Sequence, residues 1–298
     1  MQAEVVVGGI RFGEGPVWCP PDSSVGVGTL VVTSVCDGKL YRVFPEEQRF
    51  EELVDTSGGA NAAALGTDGT FVVTQNGGFD FARMGMFTDA PYRPVTPGLQ
   101  LVDTKGEKPS VSYLADVGFQ APNDLVVAPD GTIYFTDPPH FQKDMPSEMP
   151  IGRVWRYETS GNVEVIAGQF NFCNGIALDR ERNVVVIEGR GLMRLAPDGE
   201  KEWIVEVLGP GGGDGFCLDA DGNFYVAATM DHGVRVISPE GKEVDFLGIE
   251  GEGMTTNCCF GGPDNRTLFA TDAVPGRVVA WEGLPAPGLP LTPWPSDR

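Results

Sequence analysis

A six-bladed β-propeller is the fold class that this all-β sequence predicts, on three observations. A pattern of one polar residue, an apolar run, a turn and a second apolar run occurs six times along the 298 residues. Glycine (41) and proline (24) are too frequent for a helical protein and follow no collagen period, which suits many tight turns. No long segment repeats apolar residues at helical spacing, so nothing competes with strands.

The pattern is clearest in NDLVVAPDGTIYFTD, starting at 123. It returns as NGIALDRERNVVVIE at 174, DGFCLDADGNFYVAA at 214 and NAAALGTDGTFVVTQ at 61. NCCFGGPDNRTLFATD at 257 is one residue longer, and EGPVWCPPDSSVGVGTLVVTS at 14 is a looser copy. The copies begin roughly 40 to 60 residues apart, the size of a four-stranded propeller blade with some lengthened loops.

In chain order, EVVVGGI (4–10) is a short strand ahead of the first hairpin. Pairing with RVVAWEG (277–283) lets it complete the last blade, closing the ring and removing an exposed sheet edge. KLYRVF (39–44), RVWRYE (153–158), GLMRLAP (191–197) and GVRVISPEG (233–241) are expected as outer strands of their blades. The Asp-Gly pairs at 68–69, 130–131 and 221–222 read as hairpin turns. The tail at 284–298 carries five prolines, cannot be a central strand, and is expected to lie extended over the surface. The chain 1–298 thus reads as one propeller domain. A pair of β-sandwiches lacks such self-similarity, and β-helix repeats are much shorter.

A net charge of −21 and a pI near 4.3 argue against nucleic acid or an anionic membrane as partner. The N-terminus lacks the basic flank and long apolar core of a signal peptide, and no apolar run reaches membrane-spanning length. Six cysteines without a C-x-x-C pair read as reduced thiols. Together these predict a cytoplasmic protein, a monomer or weak homo-oligomer, whose partner is a small molecule.

If the six copies are related by rotation, their first residues form a ring at one mouth of the central channel: Glu14, Asn61, Asn123, Asn174, Asp214 and Asn257. Such oxygen-bearing side chains are costly to desolvate together unless a cation joins them. Carboxylate and amide oxygens suit hard cations, Ca²⁺ first, with Mg²⁺, Mn²⁺, Fe²⁺ or Zn²⁺ as alternatives; two histidines rule out a His-rich zinc site. The competing explanation is a repeated Asx-turn, which does not account for Glu14. Antiparallel pairing brings Asp137, Glu188 and Asp272, at the ends of second strands, towards the same mouth, either as supports around the metal ligands or contacts to substrate, or else as loop caps. His140, in TDPPHF, belongs either to the cleft or to a surface loop.

FGEGPVW (12–18), PNDLVVAPDGTIYFTDPP (122–139), CNGIALD (173–179) and GDGFCLDADGNFYVA (213–227) resemble the regucalcin/gluconolactonase family of six-bladed propellers. The resemblance extends over all six repeats. It implies a divalent cation held by Glu14, Asn123, Asn174 and Asp214, and an enzyme that hydrolyses lactones or, in some relatives, organophosphates. Regucalcin-type sugar lactonases carry an arginine two residues before the Asn-Asp pair, where this chain has Ala121. A less polar lactone or ester than gluconolactone is therefore expected, in a pocket lined by Asn61, Gln75, Asn76, His140 and Asn257. In the expected mechanism the cation polarises the carbonyl and lowers the pKa of a bound water. Asp214 is the catalytic base, and Asn123 is shared between metal and substrate oxygen. No G-x-S-x-G elbow or Cys–His pair points to covalent catalysis. Two rivals remain, a phosphotriesterase with the same site and a non-catalytic calcium-binding scaffold.

Overall fold

The computed structural model describes residues 1–23, 25, 28–140, 151–197 and 199–295. Among the described residues, twenty-four strands make six four-stranded antiparallel sheets. The first blade runs outward through Gly13–Cys19, Thr29–Ser34, Lys39–Phe44 and Arg49–Asp55. The next four inner strands are Ala60–Leu65, Leu125–Val127, Cys173–Leu178 and Phe216–Leu218. The sixth blade joins Met254–Gly261, Thr267–Val274 and Arg277–Trp281 to the N-terminal strand Glu4–Gly8, so the two ends of the chain close the ring as expected. The Asp-Gly pairs are hairpin turns, with Gly69, Gly131 and Gly222 at φ of 86°, 84° and 90°.

Third strands were legible except in the second blade, where Gly98–Asp103 was not foreseen, and of the fourth strands only Glu4–Gly8 was legible. KLYRVF, RVWRYE, GLMRLAP and GVRVISPEG lie third in their blades, and beyond them run Arg49–Asp55, Val163–Phe170, Lys201–Val205 and Glu243–Gly248. Arg49–Asp55, Lys201–Val205 and Glu243–Gly248 are mostly exposed and interrupted by charged residues, so they carry little of the apolar signal that marks a strand. Backbone pairing to the third strand holds them in place instead.

The core lies between blades. Each of six apolar clusters takes residues from two neighbouring sheets; Phe71, Val73 and Val102 of the second blade, for instance, pack on Val17, Val31 and Leu40 of the first. Every blade therefore buries both faces, which explains the continuous Val/Ile/Phe runs of the second strands.

The tail corrects one expectation. It crosses the channel mouth opposite the ring residues, from the fifth blade to the second. Leu289 N–H donates to the Leu218 carbonyl at 2.8 Å, and Trp294 N–H donates to the Leu65 carbonyl at 2.8 Å. Trp294 is buried at 2% exposure against Val127, Phe135 and their neighbours. Removing a buried Trp costs about 3–5 kcal/mol. Trp294→Ala is expected to lower the melting temperature by roughly 5–10 °C. A shift below about 1 °C in a thermal melt would return the tail to a passive surface segment.

Candidate functional site

Backbone irregularity aims the ring residues. Register breaks fall between Glu14 and Val17, Ala60 and Ala63, Cys173 and Ile176, and Thr255 and Asn257. In the third and fifth blades regular pairing begins only at Leu125 and Phe216, just past Asn123 and Asp214. Such bulges turn a side chain away from the sheet face it would otherwise occupy.

Threonine hydroxyls of one blade then tie down the ring backbone of the next. Thr33 Oγ1 donates to the Asn61 carbonyl at 2.5 Å, Thr136 Oγ1 to the Asn174 carbonyl at 2.7 Å, and Thr74 Oγ1 to the Asn123 carbonyl. Glycine follows Asn174 and Asp214 because the next blade passes too close for a side chain. A Cβ on Gly175 would lie 2.3 Å from the Asp214 carbonyl oxygen, and one on Gly215 would lie 2.1 Å from Asn257 Cγ.

Glu14, Asn61, Asn174 and Asn257 are buried, and Asn123 and Asp214 half-buried. The Oδ1 atoms of Asn61, Asn123 and Asn174 are buried without a hydrogen-bond partner. Orphaned buried acceptors are costly and call for a partner from outside the chain. Burial, followed by the charges of Asp214 and Asp124, raises the Glu14 pKa well above the usual carboxylate range, although the Gly15 N–H and Asn257 Nδ2 both donate to it at 3.2 Å. Burial and the charge of Asp124 likewise raise Asp214, against hydrogen bonds from Asn174 and Thr229. No three Asp, Glu, His or Cys side chains gather as a metal cluster among the described residues. Any cation there must draw on amides as well as carboxylates, and the orphaned oxygens are of the kind a hard divalent ion takes up.

Asp124 was missed. It is buried, its two oxygens accept from Asn257 Nδ2 at 2.9 and 3.1 Å, and burial pushes its pKa up to about 7. A signal existed: the corresponding positions in the other repeats are Gly15, Ala62, Gly175, Gly215 and Cys258, none of them ionisable to an anion as readily.

Asn257 differs from its expected substrate-binding role. Its Nδ2 serves Glu14 and Asp124, and its Oδ1 accepts the Cys258 N–H at 2.9 Å, so both ends of the amide are engaged within the protein. It props two carboxylates. Asn76 is buried, its Oδ1 accepting the Gly78 N–H at 2.9 Å. His140 is buried too, its Nε2 3.2 Å from the Gly78 carbonyl and its ring against Phe79, on a cavity of about 180 Å³ shared with Arg83 and Tyr92. Residues 141–150, which follow His140, lie outside the described residues.

Of the two readings for Asp137, Glu188 and Asp272, the hydrogen bonds of the first two are those of loop caps. Asp137 Oδ1 accepts from Gln120 and Ala121 N–H at 2.9 and 2.7 Å, and Glu188 from Asn171 and Phe172 N–H at 2.8 and 3.3 Å; Asp272 accepts from Met254 N–H at 3.1 Å at the start of an inner strand and pairs with Arg277 Nε at 2.5 Å. Gln75 likewise accepts from Gly59 N–H at 2.6 Å. Pairing does bring these strand ends to the mouth, but beside the segment that enters the inner strand. A cavity of about 830 Å³ runs from Asp124 and Asn257 down the channel to the tail.

A six-bladed propeller with an oxygen-lined ring at one channel mouth is the class these features define. The chain belongs to the SMP-30/Gluconolactonase/LRE-like region family, which matches residues 12–274. It is 25% identical over 303 residues to gluconolactonase of Zymomonas mobilis, covering 89% of this chain and 77% of that one. It is 26% identical over 273 residues to pentonolactonase XacC of Haloferax volcanii, covering 88% and 82%. The calcium-binding protein regucalcin of Agrobacterium tumefaciens superposes with a TM-score of 0.75 over 97% of this chain and 96% of that one, at 18% identity, which speaks for the fold alone.

Proposed function

We propose that the protein is a divalent-metal-dependent lactonase opening a small, weakly polar lactone or ester. One observation carries this: three amide oxygens without partners, from Asn61, Asn123 and Asn174, belong to the same ring as the raised carboxylates Glu14 and Asp214. Family membership and two lactonase relatives support the reaction class.

Glu14, Asn123, Asn174 and Asp214 are the residues that would hold the cation, with calcium first because irregular oxygen sets suit it. When bound, the ion supplies Lewis-acid polarisation of a carbonyl and a water of lowered pKa. Asp214 takes the proton of the attacking water. Asn123 offers its Nδ2 to a substrate oxygen. Asn257 holds Glu14 and Asp124 in place from the channel side, and Asn174 and Thr229 fix the orientation of Asp214. Ala121 offers no charged group to sugar hydroxyls, which favours a less polar substrate. The six free cysteines are compatible with a cytoplasmic setting.

Aliphatic, aromatic and sugar lactones, with phosphotriesters alongside, test this on metal-depleted protein reloaded with each candidate ion. The expected result is metal-dependent ring opening, faster for aliphatic lactones than for gluconolactone. Turnover of phosphotriesters alone would replace the lactonase reading, and no turnover with any ion would leave a calcium-binding scaffold.

A further inference from the structure

The channel wall holds a pair of thiols that the proposed hydrolysis does not use. Cys217 lies in the inner strand Phe216–Leu218 of the fifth blade, and Cys258 in Met254–Gly261 of the sixth. Their sulfurs are 3.6 Å apart across the blade boundary. Both are free thiols and both line the channel cavity of about 830 Å³; Cys217 is half-buried and Cys258 buried. No other sulfur–sulfur hydrogen-bond contact is found among the described residues, and Cys19, Cys36, Cys173 and Cys259 are buried.

We propose that Cys217 and Cys258 form an oxidisable dithiol, a modification site at which a small peroxide closes a disulfide between the fifth and sixth blades. The sulfurs already touch at 3.6 Å, and a bond of about 2.05 Å needs them only about 1.5 Å closer. Cys217, reached through the cavity, attacks as its thiolate. Its sulfur displaces hydroxide from the peroxide O–O bond and becomes a sulfenic acid, and the hydroxide takes up the thiol proton as water. Cys258 sulfur then attacks the sulfenic sulfur and expels a second hydroxide, which leaves as water with the Cys258 proton. Two thiols lose two electrons in all, and one peroxide becomes two waters.

Burial and the neighbouring Cys258 push the Cys217 thiol pKa well up, so oxidation is slow and follows sustained exposure. The bond would fasten the inner strand that follows Asp214 to the residue after Asn257.

The test uses the purified full chain, reduced and then incubated with hydrogen peroxide. Remaining thiols are alkylated in denaturant, and a non-reducing digest is read by mass spectrometry. The expected result is a loss of two alkylatable thiols and a cross-linked peptide pair bearing Cys217 and Cys258, both reversed by dithiothreitol. Cys217→Ser and Cys258→Ser should each abolish that cross-link. Unchanged thiols, a different pairing, or Cys217 overoxidised to sulfinic acid without a cross-link would each overturn the proposal.

Discussion

Asp214→Asn is expected to abolish lactone hydrolysis, lowering kcat by about 10³-fold or more, while part of the metal affinity survives. Asparagine keeps an oxygen donor of the same reach but cannot take a proton from water, and loss of a general base costs roughly 10²–10⁴-fold. The substitution also removes a charge that raises the Glu14 pKa, which offsets part of the lost attraction for a cation. Initial rates in a pH-indicator assay give kcat, and calorimetric titration gives calcium affinity. Wild-type turnover in the variant would remove Asp214 as the base. Loss of all calcium binding would make it a ligand before anything else.

Metal depletion is expected to lower both activity and stability, most strongly near and above neutral pH. The folded-state pKa values of Glu14 and Asp214 are raised, and that of Asp124 is pushed up to about 7. The folded metal-free protein therefore keeps protons that the unfolded chain releases. The stability this contributes is present below the usual carboxylate pKa and lost as pH rises through the raised values. A cation reverses the penalty, since it needs the deprotonated forms, so its affinity climbs as pH rises through the raised values of Glu14 and Asp214. At a free ion concentration of about 100 times Kd, binding adds about 2.7 kcal/mol, or a melting shift of roughly 5 °C. Calcium titrations of the metal-depleted protein across this pH range, followed by thermal melting, provide the measurement. A melting temperature indifferent to calcium at pH 8 would mean that the ring holds no ion.

Much of the fold was legible because a propeller repeats one local pattern. Polar threshold, apolar run, turn and apolar run recur in NDLVVAPDGTIYFTD and its five companions, and each copy became the inner hairpin of a blade. The motif glycines belong to the same layer: Gly175 and Gly215 are required by close approach of the next blade. Partnerships across blades were not legible. Nothing local distinguishes Asn61, with its orphaned oxygen, from Asn257, whose amide is consumed by Glu14 and Asp124. Asp137, Glu188 and Asp272 likewise stood one strand-end away from the ring in sequence terms, yet the first two cap loop N–H groups and Asp272 binds Met254 N–H and Arg277.

Local chemistry, in the form of periodicity, turn residues and the repeated oxygen-bearing position, was enough to establish six blades and to nominate Glu14, Asn123, Asn174 and Asp214. Long-range packing settled what no neighbouring residue could indicate: the burial of Asp124, the seat of Trp294 across the far channel mouth, and the contact of Cys217 with Cys258. The reason is physical. Strand and turn preferences act over a few residues, whereas desolvation and hydrogen-bond partnership depend on which distant segments the closed ring brings together.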